Sequence, residues 1–181
     1  MAWTKAKTAV VAAVVVVLAA GTTTPIIIHH YRANDSVFSS TTELTDSENA
    51  RYVRLTGTTP AAVAKNFFEA CSQEDWATVT KYFPPEFLKR QPEFLNRITN
   101  IYGGLETVSL GKPFKARISI AKMIAVQPES RNQFKSTKGD FEAASVFVPY
   151  EIRFKNGEVK KWQLSIRCDN PENHWYWDGG L

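Results

Sequence analysis

Ala144-Ser-Val-Phe-Val-Pro-Tyr-Glu-Ile-Arg-Phe154, then Lys155-Asn-Gly157, then Glu158-Val-Lys-Lys-Trp-Gln-Leu-Ser-Ile-Arg-Cys168 reads as two β-strands joined by a tight turn. On the first strand the even positions are apolar: Val146, Val148, Tyr150, Ile152 and Phe154. On the second they are Trp162, Leu164, Ile166 and Cys168. A two-residue loop at Asn156-Gly157 would set even positions opposite odd ones and split the apolar faces. Burial of one face therefore demands a loop of odd length. Three residues, Lys155 to Gly157 with Gly157 left-handed and a bulge, meet that demand. The other face is then charged, with Glu151, Arg153 and Lys155 opposite Lys161, Gln163 and Arg167.

Outward from this hairpin the pattern predicts a sheet preceded by helices. A last strand is expected over His174 to Asp178, after a turn at Asp169 to Asn173, with Trp175 and Trp177 inward and Asp178 outward. Leu105 to Lys112 and Lys115 to Val126 alternate as two earlier strands, and the polar stretch from Pro128 to Asp140 reads as a loop. Before them the period is helical. Thr59-Pro60 supplies a capping hydroxyl and a proline at the first helical position, where its missing N–H costs nothing. Val63, Phe67, Ala70 and Cys71 follow on one face. A second helix is expected from Gln73 to Tyr82, with Trp76, Val79 and Phe83 inward. Pro84-Pro85 ends it and opens a turn from Glu86 to Arg90. Pro92 to Tyr102 carries Phe94, Leu95, Ile98 and Ile101, and Gly103-Gly104 supplies the C-cap.

The amino-terminal part is of another kind. Ala9 to Ile28 is apolar except for Gly21, three threonines and Pro25, and is about the twenty residues a helix needs to cross a bilayer. Lys5 and Lys7 precede it, which keeps the amino end in the cytoplasm and exports the rest. The expected organisation is a cytoplasmic end at 1–8, a transmembrane anchor at 9–28, a flexible tether at 29–57 and a globular α+β domain at 58–181. The rival is a secretory signal cleaved near Ala19-Ala20-Gly21, with the domain released. The tether is assigned because Ser, Thr, Asn, Asp and Glu dominate it and few side chains are available to bury. Tyr52, Val53 and Leu55 are the residues expected to dock onto the domain.

Helices followed by a long antiparallel sheet resemble the ketosteroid-isomerase and nuclear-transport-factor-like superfamily, a cone-shaped α+β fold. The resemblance rests on the opening Thr59-Pro-Ala-Ala-Val-Ala-Lys-Asn-Phe-Phe-Glu-Ala-Cys71 with Glu74-Asp75-Trp76, on the hairpin, and on the closing Trp175-Tyr-Trp-Asp-Gly-Gly180. It covers most of residues 58–181 and implies a helix-covered, strongly bent sheet. Function does not follow from it, because such folds host isomerases, hydrolases, binding modules and assembly domains.

In the isomerase-like members the resemblance implies a carboxylate base and hydroxyl donors inside the cone. Here the inward positions of the hairpin are apolar apart from Tyr150 and Cys168, Asp75 reads as a helix-start residue, and no catalytic residue is assigned. His29, His30 and His174 are too scattered for a metal site, and no cofactor is expected. The net charge of +4 is spread among acidic residues, which argues against a nucleic-acid partner. Tyr82, Phe83, Phe87, Tyr150, Trp162 and Tyr176 are candidates to line a pocket at the cone's mouth, the alternative being ordinary core packing. Cys71 and Cys168 both fall on apolar faces. They are a possible disulfide in an exported domain, or two separate buried thiols. The function these features favour is non-enzymatic binding of a small molecule or protein at the cell envelope. The alternatives are an isomerase- or hydrolase-like enzyme using the cone pocket, and a purely structural assembly domain.

Overall fold

The computed structural model describes the backbone of residues 12–16 and 26–31, and the chain over 37–126, 128, 131 and 139–179. Two strands, β1 (Ala12–Val16) and β2 (Ile26–Tyr31), pair antiparallel with each other. They take up the described part of the span expected as a membrane helix at 9–28; the remainder lies outside the described residues. Valine and isoleucine, which lose rotamer freedom in a helix and favour extended backbone, make up most of these strands. Among the described residues no helix is long and apolar enough to cross a membrane.

The tether expected over 29–57 is regular structure where it is described. Strand β3 (Phe38–Glu43) pairs antiparallel with residues 114–118, and helix α1 (Asp46–Thr56) follows. Neither needs a large apolar face of its own. β3 draws on ladder hydrogen bonds, and α1 on a capping box in which Thr45 and Glu48 satisfy each other's backbone N–H groups. Gly57, at φ +80°, ends the helix in a left-handed conformation that a side chain would strain. Tyr52 docks as expected, its ring 5.1 Å from that of Trp175, whereas Val53 and Leu55 face solvent.

Helix α2 (Pro60–Ser72) begins at Thr59, whose hydroxyl accepts from the Ala62 N–H at 3.2 Å. Its buried face is Val63, Ala64, Phe67, Phe68, Ala70 and Cys71. Helix α3 (Trp76–Thr80) starts at Asp75, whose carboxylate accepts from Thr78 N–H. A 3-10 turn (Pro85–Arg90) leads into α4 (Gln91–Asn96) and a π-helical turn (Arg97–Ile101). The wider turn adds a residue to the repeat and carries Ile101 off the buried face, so it is exposed while Phe94 and Ile98 are buried.

The sheet contains β4 (Leu105–Leu110), β5 (Phe114–Ile118), β6 (Phe141–Glu142), β7 (Val146–Phe154), β8 (Val159–Arg167) and β9 (Tyr176–Gly179) besides β3. Its main path is β3-β5-β7-β8-β9. β4 and β5 run in succession along β7, with a break at Gly111–Pro113. There the Gly111 N–H donates to the Pro149 carbonyl at 2.8 Å, and a Cβ on Gly111 would stand 3.0 Å from Pro149 Cβ. The single strand expected over 115–126 is corrected: it stops at Ile118, and α5 (Ile120–Val126) follows. Ser119 starts that helix, its carbonyl accepting from Met123 N–H at 2.9 Å, and Met123 is wholly buried. Most of the loop expected over 128–140 lies outside the described residues.

The hairpin has the even-to-even register, with Val148 opposite Leu164 and Tyr150 opposite Trp162. Its loop is Lys155–Gly157, closed by Gly157 N–H to the Phe154 carbonyl at 2.8 Å, and Gly157 has φ +85°. The even face packs on the helices through Val146, Val148, Ile152, Phe154, Leu164 and Ile166. The opposite face is not charged throughout. Phe147 anchors a second cluster there with Phe38, Ile118 and Met123, because β3 and α5 fold back over that end of the sheet.

Candidate functional site

Two charged side chains are buried among the described residues, Lys160 and Asp178. Lys160 occupies an even position of β8, opposite Ile152, and takes the core side of the sheet near its end, which corrects the expectation that Tyr150 and Cys168 are the exceptions among apolar inward positions. Burial, reinforced by the Arg97 charge and opposed by Glu158, holds its amine down at about 8. Asp178 stands in β9, where the pairing with β8 is irregular between Ser165 and Ile166. Trp175 and Trp177 pack toward the helices as expected, Trp177 against Phe83 and Phe94 at 4.9 and 5.8 Å. Asp178 is nevertheless only 2% exposed, so its expected outward position is corrected.

Around Asp178 the environment is sparse. The Ser145 hydroxyl donates a short hydrogen bond to Oδ2, the one hydrogen bond that reaches the carboxyl among the described residues. Burial pushes the carboxyl up to about 7, against the opposing effects of that hydrogen bond and of the Arg167 charge. A carboxyl in this state exchanges a proton near neutral pH, the property that functional sites use.

Asp178 borders a recess of about 240 Å³ at the end of the sheet. The 3-10 turn contributes Pro84, Glu86 and Phe87. The end of β8 and the turn after it contribute Arg167, Asp169, Asn170 and Pro171, and β9 adds Tyr176 and Trp177. The turn is held by Asn170, whose side chain accepts from His174 N–H and donates to the His174 carbonyl. Arg167 Nε and Nη2 each donate to Asp169 at 2.5 Å, a forked ion pair on the recess wall. The Trp177 N–H donates to the Tyr82 carbonyl at 2.6 Å, tying β9 to the end of α3. Its indole Nε1 is buried with no hydrogen-bond partner among the described residues.

The six aromatic candidates do not converge. Phe87 and Tyr176 line this recess. Tyr150 and Trp162 border a separate, shallower groove with Phe38, Leu110, Phe114 and Pro149, beside the break between β4 and β5. Phe83 is core, and the Tyr82 ring is half-buried against Phe67. Cys71 and Cys168 are both free thiols, and burial pushes them up to about 12 and about 11. Such thiols are poor nucleophiles and act as apolar packing. Among the described residues no cluster of His, Cys, Asp or Glu is arranged to hold a metal ion.

The sequence reading places Asp178 outward and Arg167 on the charged face, and it does not single out Glu86 or Lys160. A period-two pattern assigns residues to faces, but it does not say that a bulge and a crossing turn will enclose one of them. The chain matches no known protein family, no curated protein and no solved structure. Its fold is an α+β domain with helices packed on a mostly antiparallel sheet.

Proposed function

We propose that this chain is an exported, membrane-anchored domain that binds a small molecule, without transforming it, in the recess between the 3-10 turn and β9. The observation that carries the reading is Asp178, a buried carboxyl with one hydrogen bond, on the wall of a cavity with aromatic sides. A buried ionisable group weakens a fold unless something compensates it, and a bound ligand is a compensating partner. The anchor is read from the composition of 9–28, apolar behind Lys5 and Lys7, and requires this span to cross the bilayer as a helix in place of the β1–β2 pairing. The nuclear-transport-factor-like cone is supported by the helix-covered even face and by the kinked strand pair around Gly111 and Pro149.

Native mass spectrometry of the full chain tests the binding reading. A mass excess that vanishes on denaturation is expected, and it is expected to be lost when Trp177 is replaced by Ala. A bare native mass, with no stabilisation by any member of a small-molecule panel, would sink it.

The same carboxyl favours one other reading, an enzyme in which Asp178 transfers a proton. It requires turnover that disappears in Asp178→Asn while ligand binding persists.

A further inference from the structure

We infer that the recess is built for a small organic cation with an apolar body, an arylalkylammonium in type, paired to Asp178 and Glu86 and packed against Phe87 and Trp177. The inference rests on the reading of the recess as a ligand site and adds the chemistry of its ligand.

The charges around the recess are unbalanced. Glu86, Asp169 and Asp178 line it, with Arg167 as the single cationic group among the described lining residues. That guanidinium is committed to Asp169 through both of its donated hydrogen bonds, and no ion pair among the described residues reaches Glu86 or Asp178. An anion entering here would meet three carboxyl groups against one guanidinium, which acts on Asp178 and Glu86 only at longer range. A cation would supply the counter-charge, and in a low-dielectric recess that pairing is stronger than at the surface.

Ser145 donates to Oδ2 of Asp178, and the carboxyl borders the recess, where its oxygens can accept from a ligand. A charged N–H group is the strongest partner for such an oxygen. The walls supply the rest, since Phe87, Tyr176 and Trp177 line the recess and aromatic rings accept an apolar body and attract a cation set over their faces. The volume of about 240 Å³ has room for on the order of ten non-hydrogen atoms, judged from ~30 Å³ per water-sized group.

The pairing predicts a pH dependence with a definite sign. The groups around Asp178 are Glu86 from the 3-10 turn, Arg167 and Asp169 from the end of β8, and Tyr176 from β9, whose ring packs on His174 at 4.8 Å. An ionised Asp178 binds the cation and a protonated one does not. With the carboxyl held at about 7, affinity rises as pH increases through that value.

The test uses three probes of one shape on the full chain: 2-phenylethylammonium, neutral 2-phenylethanol and the anion 3-phenylpropanoate. Binding is followed by ligand-observed NMR and calorimetry. At about pH 8 the ammonium is expected to bind about tenfold tighter than the alcohol. That preference is expected to shrink to within about threefold in Asp178→Asn, which should also lose the rise with pH. Glu86→Gln, at an exposed position that does not endanger folding, is expected to weaken the preference by a smaller factor. An alcohol that binds as well as the ammonium, or a carboxylate that binds best, overturns the cation and leaves the recess standing as a ligand site. Binding of none of the three also overturns the cation, and a bare native mass then removes the recess reading as well.

Discussion

Replacing Asp178 by Asn should stabilise the folded chain, and the gain should depend on pH in a way that identifies its cause. The carboxyl titrates at about 7 when folded and near its ordinary value of 3.8 when unfolded. Between those values the folded state binds a proton that the unfolded state has released, so wild-type stability falls as pH rises through the interval and levels off above it. The interval is about three pH units, and each unit corresponds to ~1.4 kcal/mol, which sets an upper bound of about 4 kcal/mol. Relaxation around the ionised group brings the expected gain to about 2–4 kcal/mol. Asparagine keeps the shape, and its side-chain carbonyl still accepts from Ser145. The assay is urea denaturation of both chains from about pH 4 to about pH 8, compared as a difference so that every other titrating group cancels. The difference should be close to zero at the acid end, grow through the interval and reach a plateau above 7. A flat difference, or an asparagine chain less stable at about pH 8 than the wild type, would falsify the claim that a desolvated carboxylate is being removed.

Lys160→Met should stabilise the fold by about 2–3 kcal/mol at neutral pH, because it removes a buried amine held at about 8 instead of 10.5. That gain should fade as pH rises from about 8 to about 10.5, where the unfolded amine also loses its proton; a gain independent of pH would point to packing alone. Gly111→Ala should cost about 1–3 kcal/mol by thermal or chemical denaturation, since its Cβ would press on Pro149 at 3.0 Å, and an unchanged midpoint would show that the strand break yields freely. Cys71 should react with a thiol reagent only after unfolding and the half-buried Cys168 sooner, and the intact mass should be unchanged by reductant; a gain of two protons on reduction would show a bridge instead.

The parts of the fold legible in the sequence were those fixed by short-range periodicity. Alternation along 144–168 required an odd loop, and the loop is Lys155–Gly157. Thr59-Pro60 and Asp75 marked helix starts because capping is a local hydrogen-bond problem. The same logic was available at Thr45 and Glu48, which form the capping box of α1, but the polar composition around them argued for a tether. At Ser119 the loose alternation of 115–118 continues past the strand's end, so period alone does not distinguish the serine that opens α5 from one more strand residue. The recess was the least legible part. It is made by a 3-10 turn, the end of one strand and a bulged last strand, so residues 84–87 meet residues 167–178 only in three dimensions.

Lys160 and Asp178 together help to separate a structural exception from a functional one. Both are nine-tenths or more buried, both are displaced toward their neutral forms, and each weakens the fold at some pH. Lys160 lies near the hairpin end, with an aliphatic stem along apolar surface, and borders none of the cavities that Asp178 or the aromatic candidates line. Asp178 has a short side chain with one hydrogen bond from Ser145, and its carboxyl stands on a cavity wall. A lysine in the first situation is tolerated because its stem packs. A carboxyl in the second gains nothing from packing, and its cost is offset only when a partner enters the recess. The two substitutions should therefore diverge when ligand is present: Lys160→Met keeps its stability advantage over the wild type, while Asp178→Asn loses its own, because the wild-type carboxylate then has its counter-charge.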